Sequence, residues 1–181
     1  MNNIHNRRTG RAEMWLRVAL AIAAVFSIFG FAQSAAAAGA VQISGTGAAA
    51  GPGACIDPVT GPLGQSPDFS VDLNGDLAGC LYVFVESYSC TPSGVYIERG
   101  TEIYVGGGDP GDDGQFTTTY LFTAKFSDCD NLSGQFFGRC QHPIVAGSGT
   151  GDYEGVTGRL DFKDNVETAI ATYRGHLRFG K

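Results

Sequence analysis

The sequence is poor in cations, and beyond residue 38 it lacks tryptophan, a long apolar run and any stretch of helical periodicity. Each shortage excludes something. The chain carries 12 Lys and Arg against 18 Asp and Glu, and residues 39–181 keep only eight of those cations against seventeen of the acids, a net charge of −9. An acidic surface of this kind repels phosphate backbones, which argues against nucleic acid as a partner. Without a second apolar run, residues 39–181 are expected to be soluble, with no membrane contact once the first segment is removed. No C-x-x-C motif and no Cys/His spacing points to zinc, so neither a metal nor a cofactor is expected.

The first residues read as a targeting segment. Arg7, Arg8, Arg11 and Arg17 are followed by the apolar stretch Val18 to Ala32 and the small-residue run Ser34 to Gly39. Basic, apolar, small is the order of a secretory signal peptide, here residues 1–38, cut near Ala36 or Ala38. The apolar stretch is about 15 residues, short of the roughly 20 that span a bilayer. The expected location is therefore secreted or periplasmic. What remains is enough for one domain with a real core.

All five cysteines, Cys55, Cys80, Cys90, Cys129 and Cys140, lie after the leader. In an exported chain they are disulfide candidates, and an odd count leaves one unpaired. The connectivity is open, except that Cys80 and Cys90 flank one extended run. They would sit about 30 Å apart along it, too far to bridge.

Residues 39–68 form a Gly/Ala/Pro-rich lead-in with a short strand around Ala40 to Ser44, and residues 69–181 are assigned to the β-domain. From Phe69 onward the pattern has period two. Strands are expected at Phe69 to Leu73, Cys80 to Ser89, Val95 to Val105, Gln115 to Phe126, Gln135 to Val145, Val156 to Phe162 and Thr168 to Phe179. The acidic loop Gly106 to Gly114 does not have the spacing of a calcium loop and reads as a solvated hairpin. This run of short strands and turns specifies an all-β fold, a barrel or a β-sandwich.

The stretch from Val145 to Asp164, "VAGSGTGDYEGVTGRLDFKD", is dense in glycine. It is not a dinucleotide loop. Counting G-x-G-x-x-G from Gly147 or Gly149 puts Asp152 or Glu154 at the last glycine, and a strand follows rather than a helix. Gly147, Gly149, Gly151, Gly155 and Gly158 instead suit a sharp corner between strands. The segment also resembles the glycine-rich corner of the allene oxide cyclase and dirigent barrel superfamily, at Gly147, Ser148, Gly149, Tyr153, Glu154, Gly155, Val156 and Gly158. The following "ATYRGHLRF" is similar to the closing strand of those barrels. The resemblance implies an eight-stranded antiparallel β-barrel, commonly trimeric, that takes an apolar small molecule in its mouth. The family's catalytic motifs find no match in residues 39–100.

Two readings of the interior remain. In one, Tyr82, Phe84, Glu86 and Tyr88 with Tyr96, Glu98, Glu102 and Tyr104 face a cavity. Glu86, Glu98 and Glu102 are then catalytic candidates and the aromatics ligand-binding ones, because a carboxylate among aromatics can act as a general acid or base. In the other, Val83, Val85, Val95, Ile97, Ile103 and Val105 fill the interior and the glutamates are solvated. In both, Leu81 to Ser89 is apolar on two faces and something must cover the second, for which a subunit interface is the natural candidate. His142 and His176 have no acid or nucleophile nearby in sequence and read as structural or exposed. The functional expectation is a small hydrophobic ligand, with cofactor-free isomerase or cyclase chemistry. The alternative is a noncatalytic extracellular module with a packed core.

Overall fold

A computed structural model describes residues 39–55, 59–107 and 114–180. The signal peptide expected over residues 1–38 and most of the acidic loop lie outside the described residues. Nine strands follow in chain order: β1 Val41–Ala49, β2 Phe69–Gly75, β3 Gly79–Cys90, β4 Val95–Gly106, β5 Gly114–Asp128, β6 Ser133–Pro143, β7 Thr150–Gly151, β8 Val156–Asn165 and β9 Ile170–Phe179. Each long strand pairs antiparallel with the next, and β9 returns to β1, so eight strands close into a barrel. The short β7 stands outside and pairs only with the start of β5. Closure leaves no free long edge.

The barrel begins at Val41, not at Phe69. β1 is drawn from the lead-in and runs five residues beyond Ser44. Its glycines permit this. A Cβ on Gly45 would stand 2.0 Å from the Asn74 carbonyl oxygen and 2.4 Å from the Tyr173 hydroxyl, so the strand can pass here only without a side chain.

Local chemistry sets the turns at the upper end. Thr91 Oγ1 accepts from the Val95 amide at 3.0 Å, and Gly94 takes φ +79 between β3 and β4. Asn165 Oδ1 accepts from the amides of Glu167 and Thr168 at 3.0 and 3.3 Å between β8 and β9, a side chain replacing a backbone turn bond. A disulfide joins Cys90, at the end of β3, to Cys129, in the β5–β6 turn. The glycine-rich segment is the lower corner, carrying β7 between β6 and β8. Gly158 adopts φ +139, and a Cβ there would lie 2.0 Å from the His176 carbonyl oxygen.

The lower half is packed solid. Leu73, Leu77, Tyr104, Phe116, Val156, Leu160, Tyr173 and Leu177 are buried together. The Tyr173 hydroxyl accepts from the Leu77 amide at 2.8 Å and the Tyr104 hydroxyl donates to the Ala78 carbonyl at 2.9 Å. Two tyrosines thus pin the β2–β3 turn beneath the core and satisfy polar groups that burial would otherwise penalise.

The second face of β3 is covered by the chain itself. Tyr82 and Phe84 point out of the barrel and are buried with Ile103 against Cys55 and Val59. The Cys55–Cys80 disulfide staples this segment down. Phe84 rests on Gly61, where a Cβ would come within 2.4 Å of the ring. The demand that led to a subunit interface on this face is therefore met within one chain.

Candidate functional site

Side chains alternate in and out along each strand, and registry decides which set enters. On β4 the inward set is Tyr96, Glu98, Gly100, Glu102 and Tyr104. On β3 it is Leu81, Val83 and Val85, since Leu81 pairs with Tyr104 and Val83 with Glu102. Each reading of the interior thus holds for one strand: the tyrosines and glutamates of β4 enter, and so do the valines of β3. Val95, Ile97, Ile103 and Val105 point outward. The β3–β4 register shifts between Val85 and Ser87. Beyond this bulge the even-numbered residues of β3 turn to the inner side, so that Tyr88 stacks on Tyr96 with centroids 6.0 Å apart.

Above the packed half a cavity of about 340 Å³ opens at the upper end. Its walls are apolar: Val71, Leu81, Val83, Phe122, Phe126 and Phe162, with Phe69 and Leu132 at the mouth. Phe69 and Leu132 are 48% and 53% exposed. Such a volume lies at the lower end of the range for small-molecule sites. Among the described residues no lysine or arginine lines it.

Polar groups enter from four adjacent strands, with Asp164 supplied by β8 and the rest by β4, β5 and β6. Glu98 accepts from the Tyr96 hydroxyl at 2.6 Å and from the Tyr120 hydroxyl at 2.9 Å. Burial first, and then these bonds to Glu98, hold both phenols well above their ordinary value, so they stay protonated donors. Deeper, Glu102 Oε2 accepts from Thr118 Oγ1 at 2.7 Å and pairs with His142 Nδ1. Glu102 and His142 are each 3% exposed and Thr118 is fully buried. The register explains the meeting, since β4 places Glu102 opposite Thr118 and β5 places Phe122 opposite Cys140. That brings His142, two residues further along β6, level with Tyr120. The imidazole lies between the rings of Tyr120 and Phe162, at centroid distances of 6.1 and 4.6 Å.

Glu102, His142, Leu81 and Phe162 border both the cavity and the closed layer under it. They are its floor. A carboxylate only accepts, so Nδ1 is the ring nitrogen that donates to Glu102. His142 Nε2 has no hydrogen-bond partner among the described residues. Cys140, the unpaired cysteine, lines the wall beside it. Burial, then the charges of Glu102, Asp164 and Glu98, push its thiol far up, which leaves it a small apolar group rather than a nucleophile.

Of the candidates read from the sequence, the fold gathers Tyr96, Glu98 and Glu102 at the cavity. Tyr104 is buried in the layer beneath. Tyr88 sits on the rim, 72% exposed. Glu86 is exposed and accepts from Thr101 Oγ1 at 2.6 Å, away from the cavity. Tyr82 and Phe84 lie outside the barrel. Thr118, Tyr120 and His142 were not foreseen as site residues. His176 pairs across to Arg159 on the outer side of β9, but His142 sits in the interior. Comparison of the chain with known protein families, with curated proteins and with solved structures finds no match.

Proposed function

We propose that this is an exported barrel that binds a small hydrophobic molecule in its upper cavity, and that the bound molecule undergoes cofactor-free isomerisation or cyclisation. The carrying observation is the division of the interior into a solid lower half and an open, apolar upper half with a polar floor. A barrel built only for shape would pack both halves, because protein interiors normally close to crystal-like density. The two disulfides befit an oxidising compartment. The likeness of the glycine-rich corner to the allene oxide cyclase and dirigent barrels supports the same reading, and the trimer rests on that likeness alone. Catalysis here would come from holding one ligand conformer against the floor while excluding water.

The test is titration with the neutral fluorophore N-phenyl-1-naphthylamine. Binding with fluorescence enhancement is expected for the wild-type protein and should be lost in Ala171→Trp, which places an indole among the wall residues. Absence of binding, or binding indifferent to the indole, would remove the cavity from the account.

A further inference from the structure

The few cations of this acidic chain are not spread over its surface. Residues 39–181 keep eight Lys and Arg, and five of them, Arg139, Arg159, Lys163, Arg174 and Arg178, share the outer face of β6, β8 and β9. Registry sets them side by side. Arg139 stands directly opposite Lys163, Lys163 opposite Thr172, and Thr172 opposite Thr46. In the next row Arg174 pairs with Asp161, then Arg159 with His176, then Arg178 with Thr157. Like charges directly across a strand pair repel, with Cβ atoms only about 4.5–5.5 Å apart. Among the described residues the ion pairs are Arg159 with Asp161 and, in the interior, His142 with Glu102. Arg139, Lys163, Arg174 and Arg178 form none. Asp76, at the edge beyond β1, is taken up by the Ser44 amide. Arg139, Lys163 and Arg174 line a groove of about 880 Å³ together with Thr46 and Thr172. We infer that this outer face binds a linear acidic polysaccharide, its carboxylate or sulfate groups on Arg139, Lys163 and Arg174 and its sugar hydroxyls against the two threonines.

The shape and composition of the stripe decide which anion. Each of its four rows holds a cation, and rows two residues apart lie about 7 Å from one another, so the stripe runs about 20 Å. That length, and a groove of the size that holds a drug-sized molecule, exceed what one inorganic anion needs. Within residues 157–163 and 172–178 every outward side chain is polar or charged. A membrane surface would want an apolar residue to insert, and a protein partner an apolar or aromatic centre. Single-stranded nucleic acid binds by stacking its bases on a succession of rings, and the exposed Phe136 and Phe137 stand off the stripe, beyond Arg139 at the upper end. A duplex is wide and densely charged, and the remaining acids of a chain at −9 repel it. A slender acidic polysaccharide makes none of these demands. It brings spaced anions, which the arginine fork takes in pairs of hydrogen bonds, and hydroxyls for the threonines. Its occupation of the face relieves the repulsion between Arg139 and Lys163.

The experiment is biolayer interferometry of the purified protein on immobilised heparin, polygalacturonate, dextran and single-stranded oligo(dT), with phosphatidylglycerol vesicles as a fifth surface. Heparin and polygalacturonate are expected to bind, the neutral dextran is not, and binding should weaken as salt is raised. Lys163→Ser/Arg174→Ser should weaken both polysaccharides about tenfold, the loss of two exposed charge-assisted contacts. Arg99→Glu makes the same two-unit change in net charge on the outer side of β4, across the barrel from β9, and should weaken them less than about twofold if contact rather than net charge decides. The altered side chains are exposed and unpaired, so the urea midpoints of both variants should match the wild type. Equal losses in the two variants would reduce the face to bulk charge and overturn the assignment. Tighter binding to oligo(dT) or to the vesicles than to either polysaccharide would overturn it in favour of those partners. Failure of both acidic polysaccharides to bind would overturn it outright. None of these results touches the cavity, which lies on the other side of the barrel wall.

Discussion

Truncating Glu102 to alanine strands two donors in a buried place. His142 Nδ1 and Thr118 Oγ1 both lose their acceptor, and each unsatisfied buried polar group costs about 1–3 kcal/mol. The sum agrees with the roughly 3–5 kcal/mol seen when one partner of a buried pair is removed. A domain in the upper part of the usual range of about 5–15 kcal/mol would remain folded. The triple replacement Glu102→Leu/Thr118→Val/His142→Phe removes donors and acceptor together and should recover most of the loss, since a buried polar cluster exchanged for apolar groups of like volume is often neutral. Urea unfolding followed by circular dichroism reads both quantities, with the midpoint shifting at constant slope if only stability has changed. A loss below about 1 kcal/mol for Glu102→Ala, the size expected of an exposed pair, would refute the buried floor. So would a triple variant less stable than the single one.

The two disulfides close separations of 25 and 39 residues, for which loop-closure entropy gives about 3.5 and about 4 kcal/mol respectively. Cys→Ser pairs at each should lower the urea midpoint accordingly, and the Cys55/Cys80 pair should also raise protease cleavage in the lead-in that covers Phe84. The Tyr96 and Tyr120 phenols and the Cys140 thiol have native values above the ordinary 10.0 and 9.0, with burial the first cause in each. Raised values mean that the folded state holds these protons more tightly than the unfolded one. Their stabilisation is therefore complete below about pH 9 and is lost as pH climbs past 10 towards the native values; urea midpoints from about pH 7 to about pH 11 should fall only in that upper range, and less steeply in Tyr120→Phe. Cys140 should react with an aqueous disulfide reagent far more slowly in the native protein than in urea, and equal rates would contradict its buried, protonated state.

The strands after Phe69 were legible because alternation survives in most of them, as in Phe116, Tyr120, Ala124 and Phe126 of β5. Three things were not. Only the start of β1, around Ala40 to Ser44, was legible; the rest hid in a Gly/Ala segment with little β-propensity, because its glycines answer a close approach by Asn74 and Tyr173 that only the closed barrel creates. The inner face of β3 could not be chosen from a run apolar on both sides, and the bulge after Val85 exchanges the faces part-way along. The pairing of Glu102 with His142 spans 40 residues and needs β5 between them to set the register, so no local spacing announces it. A signal did exist. Cys140, His142 and Ile144 alternate with Arg139, Gln141 and Pro143, which puts the histidine on the apolar side. Glu102 shares its side with Tyr96 and Tyr104 by the same count. Parity names the residues that enter the barrel, but only registry says which of them meet.

The central claim is that the upper cavity exists to hold a small molecule. A native mass spectrum of the protein purified from its own host without detergent tests it most directly. The account predicts a bound hydrophobic species of a few hundred daltons, displaced by N-phenyl-1-naphthylamine and absent from Ala171→Trp. A ligand-free mass, from protein that also fails to take up N-phenyl-1-naphthylamine, would contradict it.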